Sequence, residues 1–385
     1  MDLFQLGSED LRSLRVNAPV HRDEATGLWL VSRYHDVRAV LADPRRFHPD
    51  NALTAVTAIP RPVLRVLARA GFSLPPTLAN NGTDSHAGLR RLVARFLTPA
   101  RVAALRPRIA ELARERLAGL TGPVADLHPA LARDLPAIVL MEVLGVEDVD
   151  VPLLKRWGAA SLELFWGNPS PERQHELATP TAEFHRWLTR RLRAARGDDD
   201  LFGALRDVPV REAAGLCYFL FIAGQETTTQ LLCAVFDAVL RQGDLWSRLG
   251  EPGLAGRVVE EVLRRDPPVS TWRRVAAEPV VLSGVAVPAG APLLLMLAGT
   301  GSDPEVFADP DRLCPVRPNA RKHLAFGFGR HFCLGAGLAR LEAEVVVREA
   351  FERFPDLRLA SAEPPPMLGL LSFRAPLAVR VALNG

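Results

Sequence analysis

The run Phe326-Gly327-Phe328-Gly329-Arg330-His331-Phe332-Cys333-Leu334-Gly335 sets one cysteine in a glycine-rich loop that leads directly into a helical pattern from Ala336 to Phe354. A thiolate is stable only where positive potential replaces water, and the free N–H groups of a helix N-terminus supply that potential. Gly327, Gly329 and Gly335 let the backbone turn sharply and approach closely, and His331 adds a donor beside the sulfur. A lone cysteine is usually an inert buried thiol. One framed in this way is placed to offer its sulfur to a metal ion.

A second constellation, Ala223-Gly224-Gln225-Glu226-Thr227-Thr228-Thr229, lies inside an apolar helical stretch from about Arg211 to Leu240. Gly224 costs about 1 kcal/mol relative to alanine in a helix interior, so something other than helix propensity is selected there. Phe219, Ala223 and Thr227 are four apart and share one helical face, so a small side chain and a hydroxyl look into one space. The Thr227 hydroxyl is expected to bond the carbonyl four residues back and open a local bulge. Glu226 is placed to pass protons from solvent, and Thr227 to hold a water or donate to a reacting oxygen.

Two further sets concern charge. Glu261 and Arg264, in Glu260-Glu261-Val262-Leu263-Arg264-Arg265, lie three apart on one helical face and can pair; an exposed pair would contribute only about 0–1 kcal/mol. His86 and Arg90 share another face, and Arg274 begins a strand-like segment; with His331 they make four donors suited to carboxylates.

Together these motifs resemble the cytochrome P450 family, whose cysteine loop reads F-G-x-G-x-H-x-C-x-G and whose oxygen-side helix reads A/G-G-x-D/E-T. The resemblance covers essentially the whole chain and implies haem b, iron protoporphyrin IX, ligated through Cys333. Phe326, Gly327, Gly335 and Ala223 would surround the haem, and His86, Arg90, Arg274 and His331 would hold its propionates. Glu226 and Thr227 would form the acid–alcohol pair. Glu261 and Arg264 would be buried and joined by a downstream arginine, assigned to Arg312. Leu78, Phe165, Trp166, Phe219, Trp272 and Leu371 fall in the family's substrate-facing regions.

The implied reaction is monooxygenation of a small apolar, possibly carrier-bound, secondary metabolite, with hydroxylation as the first expectation and oxidative coupling or desaturation as the alternative. A catalytically silent haem module is the reading from another class. No flavin or nicotinamide fingerprint occurs, so electrons would come from a ferredoxin or flavodoxin with its NAD(P)H-dependent reductase, docking near Arg330 and Arg340. One departure stands out: Gly299-Thr300-Gly301-Ser302-Asp303-Pro304 replaces the usual A-N-R-D-P and loses its arginine.

The elements that must position these groups follow from periodicity. Short strands at Ala18 to His21 and Leu28 to Ser32 flank a turn, and a helix runs from Tyr34 to Leu41. From Asp84 to about Arg265 apolar residues recur at helical spacing, with breaks at Thr98-Pro99, Thr121-Gly122-Pro123, Gly167-Asn168-Pro169 and Gly197-Asp198. The expected fold is mainly α with small β-sheets. It is a single large domain over 1–385, with β-rich parts at about 17–33, 269–300 and 366–384 and helical parts at about 84–266 and 336–354.

With 385 residues and 48% hydrophobic content the chain can bury a large core. A net charge of +3, with acids interspersed among the bases, argues against nucleic-acid binding. The start of the chain has neither a basic segment nor an apolar run, which predicts a cytoplasmic protein without a membrane anchor. Cys217, Cys233, Cys314 and Cys333 show no C-x-x-C pairing and suit a reducing compartment.

Overall fold

A computed structural model describes residues 2–383 apart from 147 and 198. The termini of the expected 1–385 domain, the last residue of the predicted 366–384 tail and Asp198 of the Gly197-Asp198 break lie outside the described residues. Helices dominate, as the 3.6-residue periodicity requires. The axis of the fold is Val210–Leu240, 31 residues long. It is apolar on nearly every side because helices Leu135–Leu144, Val151–Trp166, Pro171–Ala194, Leu254–Arg265 and Ala336–Arg353 pack around it. Among the described residues it is also the one helix long and apolar enough to cross a membrane, and 67% of its most apolar window is buried within the protein.

Helix starts follow the punctuation. The Thr98 hydroxyl accepts from Arg101 N with Pro99 opening the helix, and Ser170 and Pro171 do the same for Pro171–Ala194. Gly224 is explained by packing, since a Cβ there would lie 2.9 Å from both methyl carbons of Leu140.

A five-stranded sheet forms beside the helices in the order Val20–Arg22, Trp29–Val31, Pro292–Leu295, Trp272–Ala276, Phe47–His48. Trp29–Val31 runs parallel to Pro292–Leu295, while Trp272–Ala276 is antiparallel to it with Arg274 opposite Leu293. This register turns Arg273 and Arg274 to opposite faces. The tail holds less sheet than its apolar content predicts. Beyond the isolated bridges Met367↔Pro376 and Val269↔Phe373, its strand is Arg380–Ala382, paired with Val124–Asp126 and Arg358–Leu359. Pro364, Pro365, Pro366 and Pro376 lack the N–H groups a ladder needs. The helix Ser8–Asn17 and the strand Val124–Asp126 have no counterpart in the sequence reading.

Two arginine centres fasten the segment that feeds the cysteine loop. Arg264, fully buried, donates through Nε and Nη2 to the Glu261 carboxylate at 2.8 and 3.1 Å, and to the carbonyls of Gly301, Pro310 and Arg312. The third member is Arg317, not Arg312: Arg317 Nε reaches Glu261 Oε1 at 2.9 Å, whereas the Arg312 side chain is exposed and contributes only its carbonyl. Gly301 is needed here, since a Cβ would lie 1.7 Å from the Arg264 carbonyl oxygen. The second centre sits at Ser302, where the family's usual pattern has an arginine. Arg15, buried in the N-terminal helix, donates to Gly299 O and Ser302 Oγ, both at 2.9 Å.

Candidate active site

The cysteine loop is held by its own backbone. Cys333 N donates to Phe326 O at 2.9 Å and Gly327 N to Leu324 O at 2.9 Å. Gly327 and Gly329 both take φ of +70°, and a Cβ on Gly329 would meet Leu41 O at 3.1 Å, so neither position suits another residue. Cys333 then sits just before the helix Ala336–Arg353, at the mouth of a cavity of about 250 Å³.

Cys333 is open to the cavity, yet its depth within the protein raises the thiol above its ordinary value; the N–H groups of Gly335 and Ala336 and the charges of Arg90 and Arg340 pull the other way without overcoming it. A thiolate here is completed by a cation bound at the sulfur.

The cavity runs from Cys333 past Phe326, Gly327 and Gly335 to Ala223 and Thr227. At its edge stand His86, Arg90, Arg274 and His331. His86 Nδ1 accepts from Arg330 Nε at 3.2 Å, which leaves the ring proton on Nε2; that atom is buried and has no partner among the described residues. His331 Nδ1 lies 3.1 Å from Leu78 O, and its Nε2 is likewise buried and unpartnered.

The Arg274 guanidinium is 2% exposed, and its bond goes to Arg273 O. Burial lowers it to about 10. Burial, then Arg330 and Arg90, lowers His86 to about 4, and burial, then Arg274, lowers His331 to about 3. The unpartnered His86 Nε2–H donor, a His331 Nε2 that would become a donor on taking up a proton beside an anion, and the Arg90 and Arg274 guanidinium groups beside an apolar cavity fit a flat apolar group carrying carboxylates. Iron protoporphyrin IX is such a group. Arg273 turns away and bonds Ala52 O and Thr54 O, so Arg274 is the inward arginine. Arg90 lines the cavity but also donates to Phe332 O at 2.7 Å, tying its helix to the cysteine loop.

On the central helix, Phe219, Ala223 and Thr227 do share the cavity face. Thr227 Oγ1 donates to Ala223 O at 2.6 Å, but the helix stays α-helical throughout and no bulge opens, because one side-chain bond adds to the ladder without displacing it. Glu226 points elsewhere. It leaves the cavity lining and meets Lys155 Nζ of helix Val151–Trp166 at 2.7 Å, with both side chains buried. Gly158 makes room for this contact, since a Cβ there would lie 3.2 Å from Glu226 Oε1. The Lys155 ammonium, which carries three protons, also donates to Thr229 Oγ1 at 3.3 Å.

Of the substrate-facing candidates, Leu78, Phe219 and Trp272 line the cavity. Phe165, Trp166 and Leu371 do not. Phe165 stacks on Phe72 at 5.6 Å, Trp166 stands behind Phe219 and Phe373, and Leu371 packs with Leu3, Leu6 and Leu11 in a separate cluster. Val269 and Phe373 line it instead, on the chain segments where candidates were sought. Arg330 and Arg340 are less free than a docking surface needs: Arg330 holds His86 and Thr83 O, and Arg340 pairs with Glu260 at 2.7 Å.

The fold and this cavity define a helical protein built around a planar cofactor. Comparison with known proteins is specific. The model of the cytochrome P450 family matches residues 236–373. The cytochrome P450 monooxygenase PikC of Streptomyces venezuelae is 38% identical over 367 residues, covering 90% of this chain and 83% of that protein. The mycinamicin IV hydroxylase/epoxidase of Micromonospora griseorubida is 36% identical over 358 residues, covering 90% and 86%. The solved structure of cytochrome P450 CREJ in complex with (4-ethylphenyl) dihydrogen phosphate superposes with a TM-score of 0.95 at 30% identity, covering 100% of this chain and 98% of that one. The chain belongs to the cytochrome P450 family of monooxygenases, whose cofactor is a haem b.

Proposed function

We propose that Cys333 ligates the haem iron, that His86, Arg90, Arg274 and His331 hold its propionates, and that the enzyme oxidises a small apolar secondary metabolite, hydroxylation being the expected outcome. The observation that carries this is the pair of buried, unpartnered imidazole Nε2 atoms beside Arg274, at the edge of the cavity that Cys333 enters. When bound, the haem supplies iron reduction, dioxygen capture and cleavage, and attack on a substrate C–H bond.

The chain's own groups manage protons and orientation. With its hydrogen on Ala223 O, the Thr227 hydroxyl turns its lone pairs to the cavity and accepts a hydrogen bond from water or a protonated oxygen there. Glu226 supplies protons by leaving Lys155, its one charged partner among the described residues. Electrons arrive from a ferredoxin or flavodoxin with its NAD(P)H-dependent reductase, in the cytoplasm, where four unpaired cysteines are at home. With Arg330 and Arg340 internally engaged, the docking face lies around the exposed Phe332 and the neighbouring Lys322.

The reduced, carbon monoxide-treated protein should show the red-shifted Soret band of thiolate ligation, and Cys333→Ser should abolish it. Survival of the band in that variant sinks the assignment. Product mass separates the outcomes: gain of one oxygen marks hydroxylation, and loss of two hydrogens marks coupling or desaturation.

A further inference from the structure

Two arginines bring positive charge to the Cys333 sulfur, Arg90 and Arg340. Arg90 stands at the cavity and bonds Phe332 O. Arg340, outside the lining, is held differently. It sits in the second turn of helix Ala336–Arg353, where its Nη1 donates to Ala336 O at 3.4 Å. Its guanidinium lies over the Phe326 ring, 4.5 Å from the centroid. Phe326 itself lines the cavity, and its carbonyl accepts the Cys333 N–H. One aromatic residue therefore touches the cation, the cavity and the cysteine backbone.

Glu260 answers that cation. Arg340 Nε donates to Glu260 Oε1 at 2.7 Å and Nη2 to Oε2 at 3.3 Å. His323 completes the cluster: its Nδ1 accepts from Ala325 N at 3.2 Å, which puts the ring proton on Nε2, 3.1 Å from Glu260 Oε2. Glu260 and His323 are buried, and Arg340 keeps only 26% of its side chain exposed. Arg321 also approaches Glu260, at 3.4 Å, but it is 81% exposed and solvent screens its charge. The cysteine loop is already tied down by its own backbone bonds, by Arg90 and by Arg330. What the Glu260–Arg340 pair adds is a balance of charge. A cation near the sulfur favours the more negative, reduced state, and a carboxylate on that cation subtracts from the effect.

We infer that Arg340 and Glu260, aligned by His323, are positioning residues that set how strongly Cys333 donates to the iron and at what potential the iron takes up one electron. This rests on Cys333 as the iron ligand, the reading proposed above, and gives a role to two charged residues outside the cavity. The electron itself comes from the ferredoxin or flavodoxin of that reading.

The test uses haem-loaded protein whose reduced carbon monoxide spectrum has first been recorded. Absence of the thiolate band in the parent would defeat the haem-thiolate reading; with the band present, the potential decides the role of the pair. Midpoint potentials come from substrate-free, dye-mediated reductive titration, and the stretch of iron-bound carbon monoxide from infrared spectra. Glu260→Gln should make reduction roughly threefold more favourable, about 28 mV for one electron. Arg340→Gln should make it less favourable by a similar factor and lower the carbon monoxide stretch, because the thiolate then gives more charge to the iron. If Arg340→Gln loses its band, Arg340→Met removes the same charge while keeping the stem over Phe326. The double variant should return to within about twofold of the parent equilibrium. A purely structural role would move both single variants the same way. Three results overturn the inference: potentials that shift in the same direction in the two single variants, a double variant displaced as far as either one, or parent potentials throughout in proteins that keep the band.

Discussion

Glu261 and Glu226 are both buried glutamates that face a cation on helices packed against each other, and they differ in how completely the pairing is bonded. Glu261 accepts four hydrogen bonds: Arg264 Nε and Arg317 Nε on one oxygen, Arg264 Nη2 and Cys314 N on the other. Its arginine spends the rest of its fork on three carbonyls. Glu226 has one charged partner among the described residues, Lys155 at 2.7 Å, and beside it both polar atoms of the Gln225 amide lack partners among the described residues. A saturated buried network fixes geometry, while a partly satisfied one leaves low-lying alternatives. The first can hold a loop for the life of the protein. The second can let go of a proton carrier once per turnover.

The sharpest way to break this contrast is Arg264→Ala, which removes two of the four bonds to a buried carboxylate and frees three carbonyls. A loss of about 3–5 kcal/mol is expected, read as a lower urea midpoint and poor haem retention. An unchanged midpoint would remove the saturated network from its structural role. Glu226→Gln should behave in the opposite way. Product formation should fall roughly 10²-fold, with a stability loss of only about 1–2 kcal/mol. A stability loss as large as that of Arg264→Ala, at unchanged turnover, would reverse the comparison.

A third carboxylate, Glu260, sharpens it through pH. Burial alone would raise this group, but hydrogen bonds from His323 and Arg340 outweigh it and hold the carboxyl at about 2. A depressed folded-state value means the stabilisation is fully present above the unfolded value of about 4.3 and fades as pH falls toward 2. Its size is on the order of 2–3 kcal/mol. Acid titration should therefore show Glu260→Gln less stable than the parent at pH 6 and equal to it near pH 2. A constant difference across that range would assign the effect to packing. The smallest effect belongs to Arg15→Ala, about 1–2 kcal/mol from two lost bonds on a buried arginine. Ser302→Arg in the same background should recover part of it, by unfolding midpoint, if Arg15 does substitute for the missing side chain.

What could be read in advance was local in sequence. The cysteine loop, the 219-223-227 face and the Glu261–Arg264 spacing each lie within one loop or a few turns, where backbone geometry alone dictates neighbours. Arg317 was not legible because its partner lies 56 residues away and Arg312 offers the same chemistry five residues earlier. Lys155 left a signal that went unused: it is one of two lysines in an arginine-rich chain, and Lys155, Gly158 and Ser161 repeat every three residues on one face of an apolar helix. In the irregular tail no period reports which residues point inward, and Phe373 lines the cavity where position alone favours Leu371.

The Arg15 contacts bear on how the chain is made. Gly299 leaves the ribosome 284 residues after Arg15. At about 5–20 residues per second this takes roughly 15–60 s, and the cysteine follows later still. Through that interval the N-terminal helix has no native partner for its buried arginine, and it waits on the segment that completes the haem-side scaffold. Native burial of Arg15 is therefore a late event in synthesis, timed by its meeting with residues 299–302.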